Sequence, residues 1–278
     1  MTDKFVIATL LGLGLFLGAP RAVQAQPTVD GQTTDSEYAL LGTSPAEQPS
    51  SPSPPPYIGG VISLSAHAGP NSLYVAVEGK VRNNYDGVTR EMVLFINSSA
   101  VDGVDSGTPL PVGSADGSPF AYIDNMRLDM DADFGIRLTG DVDNTWAFAS
   151  IADYAGYVAG DSTDSGKVKD SFEKTLKSLD GTPETGDATG GTYAYVDADS
   201  IEAVDGTGFE FSLPHDALGT SQSDEFQFFV FYGDGTTSKV SATLIPDDGE
   251  PYMYKDGFSK DWTLARPGAP VPPWPASR

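Results

Sequence analysis

The sequence predicts an all-β protein: a single two-sheet β-sandwich with one short helix inserted near residues 165–179. Three observations carry that expectation. Short runs rich in β-branched and aromatic residues recur along the chain, Gly and Asp-Gly pairs punctuate them at near-regular intervals, and one long run alternates apolar with polar residues without a break. That run is RLDMDADFGIRL, in which Leu128, Met130, Ala132, Phe134, Ile136 and Leu138 interleave with Arg127, Asp129, Asp131, Asp133, Gly135 and Arg137. A period of two marks a strand with one dry and one wet face. Same-face neighbours on a strand lie roughly 6.5–7 Å apart, whereas calcium holds its oxygens at about 2.4 Å. The three aspartates therefore read as solvated or Arg-paired surface and not as ligands of one ion.

Nine strands are expected in all: 61–66, 72–80, 91–97, 126–139, 145–151, 191–197, 208–213, 225–232 and 238–245. Their number suits two packed sheets in one domain spanning 26–265. In 165–179, Val168, Phe172, Leu176 and Leu179 fall at helical spacing, Asp164 or Ser165 can cap the start, and Gly181 follows as a C-terminal cap. The run PAEQPSSPSPPP (45–56) cannot donate ladder hydrogen bonds and reads as an extended surface loop, and the tail RPGAPVPPWPASR (266–278) is of the same kind. Turn chemistry accounts for the irregularly spaced Asp-Gly pairs, and no solenoid or propeller repeat is visible.

The apolar run FVIATLLGLGLFL (5–17) is shorter than the roughly 20 residues that span a bilayer. Val23-Gln24-Ala25 places small residues where a signal peptidase reads, so residues 1–25 are expected to be a signal peptide cleaved before Gln26. Export follows, to the outside, the cell surface or the periplasm, with no membrane insertion. Removing Asp3, Lys4 and Arg21 moves the formal charge from −23 to −24. Nucleic acid is a poor partner for such a surface. Adaptation to high salt and an appetite for divalent cations both explain the acidity; the even spread of the acids favours the first. With no cysteine, the chain has no disulfides, thiol nucleophile or thiolate-bound metal.

Chemistry-bearing residues are few. His67 and His215 are the only histidines, they lie in no GxSxG or HExxH context, and both read as surface or turn residues. Glu78, Glu91 and Glu210 sit in expected strands where alternation points them outward, and no residue is assigned a catalytic role. Calcium is the ion an oxygen-rich chain suits. The EF-hand pattern fails in 129–140, so the candidate ligands are loop acids: Asp102 and Asp105 in VDGVDSG, Asp141 and Asp143 in TGDVDNT. The candidate ligand-binding surface is aromatic. Trp146, Tyr154 and Tyr157 fall in TWAFASIADYAGY, and Tyr252, Tyr254 and Trp262 in EPYMYKDGFSKDW. Flat rings beside Asp side chains suit a sugar, stacking on its apolar face while the acids take its hydroxyls.

The segments PTVDGQTTDSEYALLG, NSLYVAVEGKV, EMVLFINSS, GFEFSLPHDALG and EFQFFVFYGDGTTSKVSATLIP together resemble the family 9 carbohydrate-binding-module-like sandwich, related to DOMON domains and common in exported bacterial proteins. The resemblance covers about 27–246. It implies an immunoglobulin-like sandwich that binds carbohydrate, with structural calcium in some members and haem in others. Tyr38 stands where these modules usually carry Trp. Met92, Met126 and Met130 alternate as core residues do, which argues against haem ligation. The reading is thus a secreted or cell-surface, non-enzymatic carbohydrate binder whose partner is a polysaccharide or other glycan. A matrix or self-assembling subunit is the alternative, and a hydrolase a weaker one.

Overall fold

Among the residues that the computed structural model describes (25–43, 60–80, 90–113, 127–128, 130–140, 147–160, 167–176, 181–186, 190–196, 206–234 and 239–245), the chain forms two sheets and two short helices. The first sheet contains β1 (Ala39–Thr43), β2 (Gly60–Ala68), β3 (Ser72–Lys80), β11 (Gly208–Pro214), β10 (Thr192–Tyr195) and β9 (Glu184–Thr185), in that spatial order. The second runs β13 (Lys239–Ile245), β12 (Phe226–Asp234), β4 (Arg90–Ser98), β6 (Phe134–Gly140), β7 (Ala147–Asp153), β8 (Lys167–Leu176) and β5 (Val112–Gly113). β5 pairs with β8 in parallel, and the other ladders are antiparallel. Helix α1 (Tyr154–Val158) follows β7, and α2 (His215–Leu218) carries the chain from the first sheet to the second.

Alternation builds the space between the sheets. Leu73, Val75 and Val77 of β3 and Phe209, Phe211 and Leu213 of β11 face Met92, Leu94 and Ile96 of β4 and Phe226, Phe228 and Val230 of β12 in one apolar cluster. The second sheet is apolar on its other face as well. Val93, Phe95, Phe229 and Phe231 point away from the first sheet and are covered by Val104, Leu110, Leu128, Met130 and Ala132. These covering residues come from two segments bridged at Val104–Ala132 and Pro109–Arg127.

The outer face of the first sheet is covered too, by the strap 25–38. Thr33 N donates to the Gly206 carbonyl at 2.7 Å, Gly208 N donates to the Gly31 carbonyl at 3.1 Å, and Val29 packs with Tyr74, Ala194 and Tyr38. Gly31 is required here. Its φ is +80°, and a Cβ at that position would stand 2.6 Å from Val196 Cγ2.

Several expectations need correction. Residues 167–176 form β8, not a helix. Positions 168, 172 and 176 are four apart, which fits a helical turn and equally an even number of strand residues, so their spacing does not distinguish the two periods. The alternating run is a strand only from Phe134 onward. Its first half is bridged, non-strand chain whose apolar residues lie on the opposite face of the sheet from Phe134, Ile136 and Leu138. Glu78, Glu91 and Glu210 do not point into solvent: they are 4%, 0% and 0% exposed, because both outward faces are roofed. The stretches 45–56 and 266–278 lie outside the described residues.

Phe95 is 0% exposed in the second cluster, so Phe95→Ala should cost about 3–5 kcal/mol in chemical denaturation. Leu40, 63% exposed on β1, should tolerate Leu40→Ser within about 0.5 kcal/mol.

Candidate functional site

The end of β4, the start of β6, the end of β7 and the start of β12 meet at one end of the second sheet, and one residue ties them together. Asp133 is 0% exposed. Its N–H donates to the Ile96 carbonyl at 2.9 Å, and its own carbonyl accepts from the N–H groups of Tyr154 and Ala155 at 2.9 and 3.0 Å. Its carboxylate accepts from Ser98 N at 2.5 Å. Burial pushes the carboxyl up to about 7, against the N–H groups of Ser98 and Gly103, which favour the charge; neighbouring Asp131 and Asp102 raise it further.

Around this buried acid lie exposed ones. Asp102 and Asp105 are exposed on the loop that follows β4, and Asp131 is exposed with its Oδ1 accepting from Ser106 N at 2.7 Å. Arg127 donates to the Gly107 carbonyl, which fastens the other end of the loop. Helix α1 begins at the same end, its first turn closed by Asp153 accepting from Gly156 N at 2.7 Å. It leaves Tyr157 partly exposed, packed on the cluster that contains Val104 and Ala132. Tyr157 thus packs on a cluster whose buried Val104 and Ala132 are flanked in the chain by the exposed Asp102, Asp105 and Asp131.

A second constellation lies beneath the strap. Glu210 Oε2 accepts from Asp30 N and Gly31 N at 2.9 and 2.6 Å, and the Tyr38 hydroxyl faces the same carboxylate. Burial is the largest cause of a Glu210 pKa raised to about 7; burial, then the Glu210 charge, also pushes the Tyr38 phenol upward. Glu78 accepts from Gly206 N at 3.0 Å and from the Ser63 hydroxyl at 2.9 Å. Glu91, on the outer face of the second sheet, is paired with Arg137. These acids are structural in their contacts: Glu210 ties its strand to the strap, Glu78 ties β3 to Gly206 and to Ser63 of β2, and Glu91 ties β4 to β6.

The sequence-derived candidates are placed as follows. Tyr154 does not belong to a ligand surface; it is 0% exposed, its ring 6.2 Å from that of Phe95, because α1 turns its first residue into the second cluster. Tyr157 lies on α1 and Asp102 and Asp105 on the loop after β4, the two elements fastened beside Asp133 at the sheet end described above. Trp146, Tyr252, Tyr254, Trp262, Asp141 and Asp143 lie outside the described residues. Among the described residues, no group of three or more His, Asp or Glu is arranged to hold a metal ion. Asp133 is buried rather than solvated, and Arg137 pairs with Glu91, not with the aspartates.

Both histidines are buried, contrary to the surface reading. His215 Nε2 donates to the Gly69 carbonyl at 2.9 Å and Nδ1 accepts from the Thr220 hydroxyl at 2.9 Å, so it braces the turn into α2. His67 Nδ1 donates to the Glu37 carbonyl at 3.0 Å, and desolvation lowers its pKa. Among the described residues no helix is long and apolar enough to cross a membrane. No family model, curated protein or solved structure matches this chain.

The buried acids set a pH dependence. A carboxyl raised to about 7 in the fold and near 4 when unfolded stabilises the protein below its unfolded pKa, and that contribution is lost as pH rises to about 7. Each such group contributes a slope of at most about 1.4 kcal/mol per pH unit. His67 works the other way, its contribution being lost as pH falls below 6.5 through its lowered value. Two acids outweigh one histidine, so stability should fall between about pH 4 and pH 7. Thermal midpoints in that range should drop less in Glu210→Gln than in wild type, and parallel curves would contradict the assignment.

Proposed function

We propose that this chain is an exported, non-enzymatic β-sandwich that binds a glycan at the end of the second sheet. The observation that supports the reading is the partly exposed Tyr157 packed on the cluster that holds Val104 and Ala132, with the exposed Asp102, Asp105 and Asp131 flanking those two residues in the chain. A phenol ring stacks on the apolar face of a pyranose, and carboxylates accept its hydroxyl protons. The platform is preorganised, since the buried Asp133 holds β4, β6 and α1 in one geometry before any ligand arrives. Loops at one end of a sandwich are also where this architecture commonly binds. Export fits the leader at residues 1–25 and cleavage before Gln26.

Assembly through a sheet edge is the second reading, favoured by Leu40, 63% exposed on the edge strand β1. The two readings separate experimentally. Calorimetry against a panel of soluble polysaccharides should show saturable binding by a monomer, weakened about tenfold, or 1.4 kcal/mol, in Tyr157→Ala. Silence across the panel, together with oligomers that Leu40→Lys dissolves, would move the conclusion to assembly.

A further inference from the structure

We propose that Gln26 is a modification site: freed as an N-terminus, it closes to pyroglutamate, with the Tyr74 hydroxyl stabilising the oxygen of the closing ring. The proposal rests on the cleavage position in the export reading above. Gln26 is exposed, yet its side-chain Oε1 accepts a hydrogen bond from the Tyr74 hydroxyl at 2.8 Å. Tyr74 is itself fixed. It is 9% exposed, set in β3 between His67 of β2 and Ser212 of β11, packed on Val29 and Ala194, and meets the His67 ring edge-on at 5.9 Å. Pro27 and Val29, which follow Gln26, are buried and anchor the strap.

In the reaction the free α-amine of Gln26 attacks its own side-chain Cδ. A bond forms between that nitrogen and Cδ, negative charge collects on Oε1, and the Tyr74 O–H is already aimed at that oxygen. The Cδ–Nε2 bond then breaks, and Nε2 leaves as ammonia with a proton from the attacking amine. No oxidant, reductant or second substrate is needed. The lactam keeps the carbonyl oxygen as an acceptor for Tyr74 and removes the positive charge of the α-amine. The mature chain would begin with a neutral, blocked residue.

The test separates this chemistry from export. A chain in which residues 1–25 are replaced by a soluble tag ending in a protease recognition sequence is folded and cut to expose Gln26, and the N-terminal peptide is followed by mass spectrometry. The expected result is loss of the mass of one ammonia, several-fold faster in the folded protein than in the same protein held in denaturant. Tyr74→Phe, if folded, should slow the folded protein to the denatured rate. Retention of the intact glutamine, or equal rates folded and denatured, would overturn the proposal. The N-terminal residue of the chain recovered outside the producing cell tests the export reading by itself.

Discussion

The molecule depends on carboxylates that have been removed from water and given backbone N–H groups instead. Glu210 receives two from the strap, Glu78 receives that of Gly206, and Asp133 is faced by those of Ser98 and Gly103. A buried charge without such partners is expensive, so each acid admits only those arrangements in which the covering chain brings its amides to the right place. The segments joined are far apart in sequence: Glu210 lies 180 residues from Asp30, and Glu78 lies 128 from Gly206. These contacts therefore select a topology more than they add stability. Removing one acid would take from these amides the acceptor that the fold gives them.

Roofing both outer faces follows from the same arrangement. An ordinary sandwich leaves each sheet one wet face, but here the second sheet is apolar on both sides and the first hides Glu78, Glu210 and His67 on its outer face, which residues 25–38 cover. In a chain without cysteine, the extra burial supplies what disulfides supply elsewhere. Among the described residues, the loop after β4 and the edge strand β1 keep exposed side chains that a ligand or partner can reach.

Much of the sandwich was legible in the sequence because alternation and Asp-Gly turns report local physics. β3 matches its expected range, and β2, β4, β7, β11, β12 and β13 differ only at their ends. The roofing was half visible. The unbroken apolar runs MVLFI in β4 and FFVFY in β12 are what strands buried on both faces look like, whereas nothing local distinguishes Glu210 under a strap from a glutamate in water. β8 was misread because its spacing satisfies two periods, and its strand state comes from pairing with β7 and β5. Of the candidate site, Tyr157 and Asp102 could be named from composition and loop position. Asp133 could not, since its burial is created by the 99–110 loop and α1 folding back upon it.

The two roofs are held by different forces. Over the second sheet the contacts are apolar, with Phe95, Phe231, Leu128 and Met130 among them, each large side chain worth roughly 1.5–3 kcal/mol when buried. Over the first sheet the apolar share is Val29, Tyr74, Ala194 and part of Tyr38, and the remainder is hydrogen bonds worth about 1 kcal/mol each in net terms. Deprotonation of Glu210 within its buried site takes further stability from this second roof as pH rises. The strap thus has the smaller apolar share of the two roofs. The knot at Asp133 carries a carboxyl raised to about 7 as well, but it is backed by the larger apolar cluster, and that backing is what a preformed binding platform requires.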